Sequence, residues 1–251
     1  VTSIGRRAFS GCTSLTSITL PDSLESIGDF AFNGCTSLTS IDLPESLTDV
    51  DSSAFYGCSK LTEIRVAEGN TNFAVVDGVL FNANKTTLIS YPAGKTGTSY
   101  IVPDTVTSIG DFAFNGAGLT SITLPANLET VSYSTFDGCS KLAEITVAEE
   151  STNFTAVDGV LFDKEKTKLV LYPAGKTDMT YTVPETVKSI ESYAFNDCSQ
   201  LTSLTLLSEQ PPKLGSYALY NTKDSLQILV PYGAVETYKA ADGWKNHADQ
   251  I

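Results

Sequence analysis

Few side chains in this chain of 251 residues are suited to chemistry: one histidine, His247, beside Asp249 near the C-terminal end, and five cysteines, Cys12, Cys35, Cys58, Cys139 and Cys198. A Ser-His-Asp or Cys-His relay needs a base held rigidly at hydrogen-bonding distance from its nucleophile. A tail after the last patterned segment is a poor place to hold one, so a solvent-exposed, non-catalytic His247 is expected. Each cysteine follows a Phe by three residues. Residues at one repeat position form a column, which predicts a ladder of small buried thiols. Spacings of 23 residues without paired histidines do not supply convergent metal ligands, and side chains stacked in parallel fit the disulfide dihedral poorly. Free structural thiols are therefore expected, with neither metal nor cofactor. Asp49 and Asp51 pair only by chance on a return segment. Asp77-Gly78 and Asp158-Gly159 read as tight turns into hairpins, because no phosphate-cradling or calcium-loop pattern accompanies them. Asn84-Lys85-Thr86 and Asn153-Phe154-Thr155 match the glycosylation sequon, which matters only in a eukaryotic secretory pathway. No set of nucleophile, base and metal emerges, and the chain is expected not to be an enzyme.

The elements that position these residues are repeats. LTSITLPDSLESIGDFAFNGCTS, Leu15 to Ser37, is followed at once by LTSIDLPESLTDVDSSAFYGCSK, Leu38 to Lys60, identical at 12 of 23 positions. A fixed period of this length marks a solenoid, whose units bury their apolar faces only against their neighbours. Leu15, Ile18 and Leu20 recur as Leu38, Ile41 and Leu43, as Leu61, Ile64 and Val66, as Leu119, Ile122 and Leu124, as Leu142, Ile145 and Val147, and as Leu201, Leu204 and Leu206. This alternation predicts half-buried strands stacking into a parallel sheet with rungs ~5 Å apart. About ten rungs at one strand per turn are expected. Pro21, Pro44, Pro103, Pro125 and Pro184 end the strands, having no N–H for the ladder. A second apolar pair then leads to Phe9, Phe32, Phe55, Phe114, Phe136 and Phe195, a predicted spine of stacked rings. Segments such as GDFAFNGC support at most one helical or 3₁₀ turn.

A larger duplication overlies the repeat, pairing residues 61–124 with 142–206. TNFAVVDGVLF answers TNFTAVDGVLF, and YPAGKTGTSYIVPDTV answers YPAGKTDMTYTVPETV. Val79–Phe81 and Leu88–Tyr91, joined by Asn82 to Lys85, predict a hairpin lying partly over the sheet. Residues 1–207 are read as the solenoid and 208–251 as a degenerate last repeat and cap. In that cap Pro231 to Trp244 forms a helix with Val235, Tyr238 and Ala241 on one face, while Trp244 and Ile251 pack over the final rung. The opening VTSIGRRAF matches ESIGDFAF, so the chain is expected to begin inside a repeat.

Hydrophobic residues at 41% and aromatics at 10% suffice for a core and exclude disorder. A net charge of −13 argues against nucleic acid and anionic membranes, and suits solubility or a basic partner. No segment is long and apolar enough to be read as a membrane span, so insertion of this chain into a membrane is not expected.

The motifs LxxIxLPxxLxxIGxxAFxGCxx, NFxxVDGVLFxxxKTxLxxYPAGKTxxxYxVPxxVxSI and VPxGAVExYKxAxGW resemble those of the BspA-like leucine-rich repeat proteins over essentially the whole chain. The resemblance implies a curved right-handed leucine-rich repeat solenoid with inserted β-hairpins and a C-terminal capping helix. It also implies secretion or surface display, mostly in bacteria, with roles in adhesion to host or bacterial proteins. The chain departs from the family pattern in its opening, in the shortened repeat at Ala117 and in showing no secretion signal. If Ile18 and Leu20 point inward, Ser17 and Thr19 point out. The outward rows then comprise Ser17, Thr19, Ser40, Asp42, Glu63, Arg65, Ser121, Thr123, Glu144, Thr146, Ser203 and Thr205, small hydroxyls with a few carboxylates and one Arg. This face is the candidate site of a monomeric module for a protein partner. The alternative is glycan binding by exposed tyrosines such as Tyr56, Tyr133, Tyr193 and Tyr217, whose varied repeat positions show no platform by spacing.

Overall fold

The computed structural model describes residues 1–251. The chain divides into two compact units, Val1–Leu119 with Asn127–Cys139, and Thr120–Ala126 with Ser140–Ile251. Each is a stretch of leucine-rich repeat β-solenoid built from parallel strands one repeat apart.

In the first unit, Ser40–Leu43 pairs in parallel with Glu63–Val66, Ile41 opposite Ile64 and Leu43 opposite Val66. Ile41 and Ile64 are buried while Asp42 and Arg65 face solvent, as the period-two alternation requires. The leading repeat departs from expectation. Residues 15–20 form no strand, and Ile18 is only half-buried although Leu20 is buried. The reason is a missing ladder: only the Thr39 N–H reaches back to this segment, to the Thr16 carbonyl at 3.4 Å.

The return side is more regular than the sequence suggests. Each turn carries a second short strand, and Ser3–Ile4, Ser26–Ile27 and Asp49–Val50 make a three-stranded parallel sheet. The Ala-Phe loops add a third ladder, in which Phe9 N–H donates to the Ala31 carbonyl and Phe32 N–H to Ala54, at 2.7 and 2.8 Å. Within a loop the bonds run from residue i to i−3, Asn33 to Phe30 and Cys35 to Phe32, so the loop is a succession of tight turns.

The predicted aromatic spine is present. Phe9 stacks on Phe32 at 5.2 Å and Phe32 on Phe55 at 5.8 Å. Tyr91 extends a second column through Phe114 to Phe136 at 5.2 and 5.4 Å, and Tyr172 stacks on Phe195 at 5.2 Å in the second unit. The two inserts are thus diverged repeats whose tyrosine occupies the Phe position.

The hairpins do not lie over the sheet. Phe73–Val76, Val79–Asn82 and Thr87–Ser90 form an antiparallel meander whose last strand pairs in parallel with Ser108–Ile109, which makes them part of the return-side sheet. The second unit repeats this with Phe154–Val157, Val160–Asp163, Lys168–Leu171 and Ser189–Ile190. In-plane pairing satisfies backbone groups that a hairpin laid on a sheet face would leave open. The turns have φ of 49° and 76° at Asp77-Gly78, and 51° and 78° at Asp158-Gly159, both residues left-handed as a type I′ turn demands. Each tip reaches the edge of the front sheet, where Ile64 N–H donates to Gly78 O and Ile145 N–H to Gly159 O, both at 3.1 Å.

In the second unit Ser121–Leu124 pairs with Glu144–Val147, and Thr180–Val183, Ser203–Leu206 and Gln227–Leu229 form a parallel sheet. The C-terminal segment is helical in shorter pieces than expected: a 3₁₀ turn Tyr232–Ala234, the helix Val235–Ala240 and a 3₁₀ stretch Trp244–Gln250. Tyr238 and Trp244 are buried in one core cluster with Leu226 and Ile228, and Ile251 packs against that cluster. Their polar atoms are satisfied, Tyr238 Oη donating to Ser208 O at 2.9 Å and Trp244 Nε1 to Pro212 O at 2.7 Å.

Candidate interaction surfaces

The thiol ladder shows how the repeat consumes its most reactive groups. All five cysteines are free. Cys35 and Cys58 donate to the carbonyls of Phe9 and Phe32 at 3.2 Å, Cys139 to that of Phe114 at 3.0 Å, and Cys198 to that of Tyr172 at 3.6 Å. Each thiol therefore ties its turn to the spine residue of the turn before. Burial pushes Cys58 and Cys139 up to about 12, and raises Cys198 as well. Cys12 breaks the pattern of an all-inward column, because it is exposed and has no such bond.

Other candidates for chemistry are likewise absorbed by structure. Asp51 accepts Ser53 N–H at 2.8 Å and the Ser53 hydroxyl at 2.5 Å, closing the loop after its strand, while Asp49 stands exposed on the short strand before it. In the Tyr-Pro-Ala-Gly-Lys motif, Lys95 Nζ donates to the Asp77 carbonyl at 2.5 Å and Lys176 Nζ to the Asp158 carbonyl at 2.9 Å. The lysine clamps the hairpin tip. His247 differs from expectation in being half-buried, with Nδ1 at 2.8 Å from Gln250 Oε1.

The candidate sheet face occupies outward strand positions. Within the first unit Ser40 lies opposite Glu63 and Asp42 opposite Arg65. Arg65 meets Asp42 Oδ1 and Glu63 Oε2, each at 2.6 Å, with Ser40 Oγ at 3.3 Å. Its guanidinium holds the Asp42 carboxyl below the usual carboxylate range. Ser17 and Thr19 are exposed beside these rows but stand outside the ladder. A shallow groove of about 390 Å³ runs along the strand ends past Asp22, Asp42 and Arg65.

Within the second unit Ser121 faces Glu144 and Thr123 faces Thr146, the two threonine hydroxyls 2.8 Å apart. The hairpin tip walls this face, leaving a groove of about 580 Å³ between Glu144, Thr146, Asp158 and Lys176. Ser203 and Thr205 continue outward between Thr180 and Thr182 on one side and Gln227 and Leu229 on the other. The last four belong to the same rows and follow the same alternation, which the strands TYTV and QIL carry in their sequence.

The candidate tyrosines separate. Tyr56 packs edge-on against Phe30 and Phe112, at 5.6 and 5.2 Å, and its hydroxyl donates to Asp137 at 3.0 Å, so it is a structural residue of the first unit. Tyr133 is exposed in the same unit. In the second unit Tyr193 and Tyr217 stack at 5.3 Å, and Tyr220 meets Tyr217 edge-on at 5.8 Å. Tyr220 carries no signal in the sequence, since it lies where the repeat has decayed.

Parallel rungs, a Leu-x-x-Ile-x-Leu front strand and a solvent-facing row of polar side chains define a leucine-rich repeat protein. Six copies of the BspA type leucine rich repeat region match residues 1–96, 90–168 and 175–239, and the chain belongs to that family. A crystallised leucine rich cell surface protein from Faecalibacterium prausnitzii is 27% identical with a TM-score of 0.59, and the match covers 92% of this chain. The chain spans 65% of the length of that relative. A leucine-rich repeat protein from Eubacterium ventriosum, 21% identical over 88% of this chain and 80% of its own, shares the fold with a TM-score of 0.50. No protein of curated function matches the sequence significantly. No helix is long and apolar enough to cross a membrane.

Proposed function

We propose that the chain is a non-catalytic protein-interaction module of a secreted or cell-surface protein, acting in adhesion to host or bacterial proteins. The observation that carries this reading is an outward row on paired strands in each unit, Ser40, Asp42, Glu63 and Arg65 in the first and Ser121, Thr123, Glu144 and Thr146 in the second. With Ser17 and Thr19 in the first unit and Ser203 and Thr205 in the second, these side chains are the proposed contact surfaces, one on each unit. Their backbone is already paired, so a partner meets a rigid array of side chains and loses little entropy ordering it. The net charge of −13 favours a basic partner surface. Relation to a cell surface protein supports the compartment, and affinity would come from several such modules acting together.

The test is capture from extracellular-matrix and mucosal extracts, followed by surface plasmon resonance with each captured protein and with a double variant, Thr123→Arg and Thr146→Arg. Saturable binding lost in the variant is expected. Binding to nothing, or binding indifferent to the variant, rejects the surface as the contact site. The chain is expected to sediment as a monomer.

A further inference from the structure

We propose that the second unit carries a binding cleft for a neutral saccharide, lined by Tyr217 and Tyr220 together with the 3₁₀ stretch bearing Asn246, His247 and Asp249. The cleft is open to solvent, encloses about 890 Å³ and is lined mostly by polar side chains. It is separate from the proposed protein-contact face.

Three features converge on a sugar. First, Tyr217 is 62% exposed and Tyr220 57%. Water-exposed aromatic rings in a cleft offer flat apolar surface without closing an apolar pocket, which matches the C–H face of a pyranose. The Tyr217 ring is braced rather than loose: Tyr193 stacks beneath it at an interplanar angle of 26°, and Tyr220 stands across it at 87°. Left-handed φ values of 59° at Tyr193 and 56° at Tyr217 hold both rings at equivalent places in successive loops, a conformation bulky side chains rarely adopt.

Second, the 3₁₀ stretch supplies planar hydrogen-bonding groups to the lining. Asn246 and Asp249 are exposed on it. His247 Nδ1 is taken by Gln250 Oε1, so Nε2 is the ring nitrogen left for a ligand. Gln250 Nε2 in turn donates to the Asp224 carbonyl at 3.4 Å, tying the 3₁₀ stretch to the Asp224 loop. Amide, carboxylate and imidazole together donate to and accept from the hydroxyl rim of a sugar.

Third, charge sorts among ligands. Lys223 is the only cation in the lining, against Asp224 and Asp249. Phosphate, sulfate and uronate groups need clustered Arg or Lys and meet two carboxylates instead. A neutral glycan meets no such penalty.

The experiment is affinity electrophoresis of the whole chain through gels containing starch, xylan, mixed-linkage β-glucan, mannan or galactan, with polygalacturonate as the anionic counterpart. Retardation by at least one neutral polysaccharide is expected, and none by polygalacturonate. Tyr217→Ala and Tyr220→Ala should each weaken it about tenfold or more, the loss of one stacking ring and its packed neighbour. Tyr232→Ala, 98% exposed and outside the cleft, should change nothing. Circular dichroism and melting temperature of the variants confirm that they fold, as substitutions at exposed side chains allow. Mobility unaffected by every neutral polysaccharide, retardation undiminished in both cleft variants, or retardation by polygalacturonate alone would overturn the proposal.

Discussion

Phe32 and Phe114 show how much rests on one ring. Both are wholly buried, and each stacks on rings of the turns before and after. Truncation removes contacts on both faces, and a stack of backbone ladders cannot close around the hole. Phe32→Ala or Phe114→Ala is expected to cost ~3–5 kcal/mol, read from urea unfolding; an unchanged midpoint would refute the ring spine as a source of stability. The thiols make a second prediction. Cys58 and Cys139 ionise near 9.0 when unfolded but stand at about 12 in the fold. The folded chain keeps protons that the unfolded chain releases, so this contribution is whole below pH 9 and is lost as pH rises from 9 toward 12. Tyr238, pushed by burial from 10.0 to about 12, adds in the same direction. The urea midpoint should therefore fall between pH 7.5 and pH 10.5, and a midpoint that holds would mean the thiols and phenol ionise without opening the core. The Phe and Cys columns were legible in the sequence because they recur at one spacing. Tyr91 and Tyr172 were not, because the inserts hide their place in the column.

At the scale of elements, the Tyr-Pro-Ala-Gly-Lys segment is a clamp with no spare room. A Cβ on Gly94 would lie 2.7 Å from the Lys60 carbonyl carbon, while Gly94 N–H donates to Leu61 O at 2.7 Å. Backbone cannot swing aside as a side chain does, so Gly94→Ala should destabilise by ~1–3 kcal/mol. The check is thermal unfolding, and a wild-type melting temperature would show that the loop yields. The type I′ turns at Asp77-Gly78 and Asp158-Gly159 were readable from two residues, since both need left-handed φ. Placement of the hairpins was not. Their apolar runs are compatible with covering a sheet or extending one, and the choice fell to in-plane pairing of Thr87–Ser90 with Ser108–Ile109. The second short strand of each turn was also unreadable, because two residues are too short to show alternation.

For the whole molecule, we infer that residues 208–251 act as a degenerate last repeat and cap. Tyr238 and Trp244 are buried in one core cluster with Leu226 and Ile228 of the last strand region, and a solenoid's final turn needs such a covering. Deleting residues 231–251 is expected to yield a chain that still forms β-structure but self-associates in sedimentation velocity; a monomeric deletion product would reject the capping role. What the sequence determined alone was everything that repeats: the family, the solenoid, the inward Leu and Ile, the spine and the alternating outward rows. Periodicity encodes contacts between equivalent residues one turn apart, and such contacts need no knowledge of the rest of the chain. The tertiary structure alone decided what joins unlike segments: Arg65 held between Asp42 and Glu63, Tyr56 turned to Asp137, and Tyr217 and His247 lining one cleft. Those juxtapositions depend on which particular side chains the fold brings together, and no spacing in the chain records that.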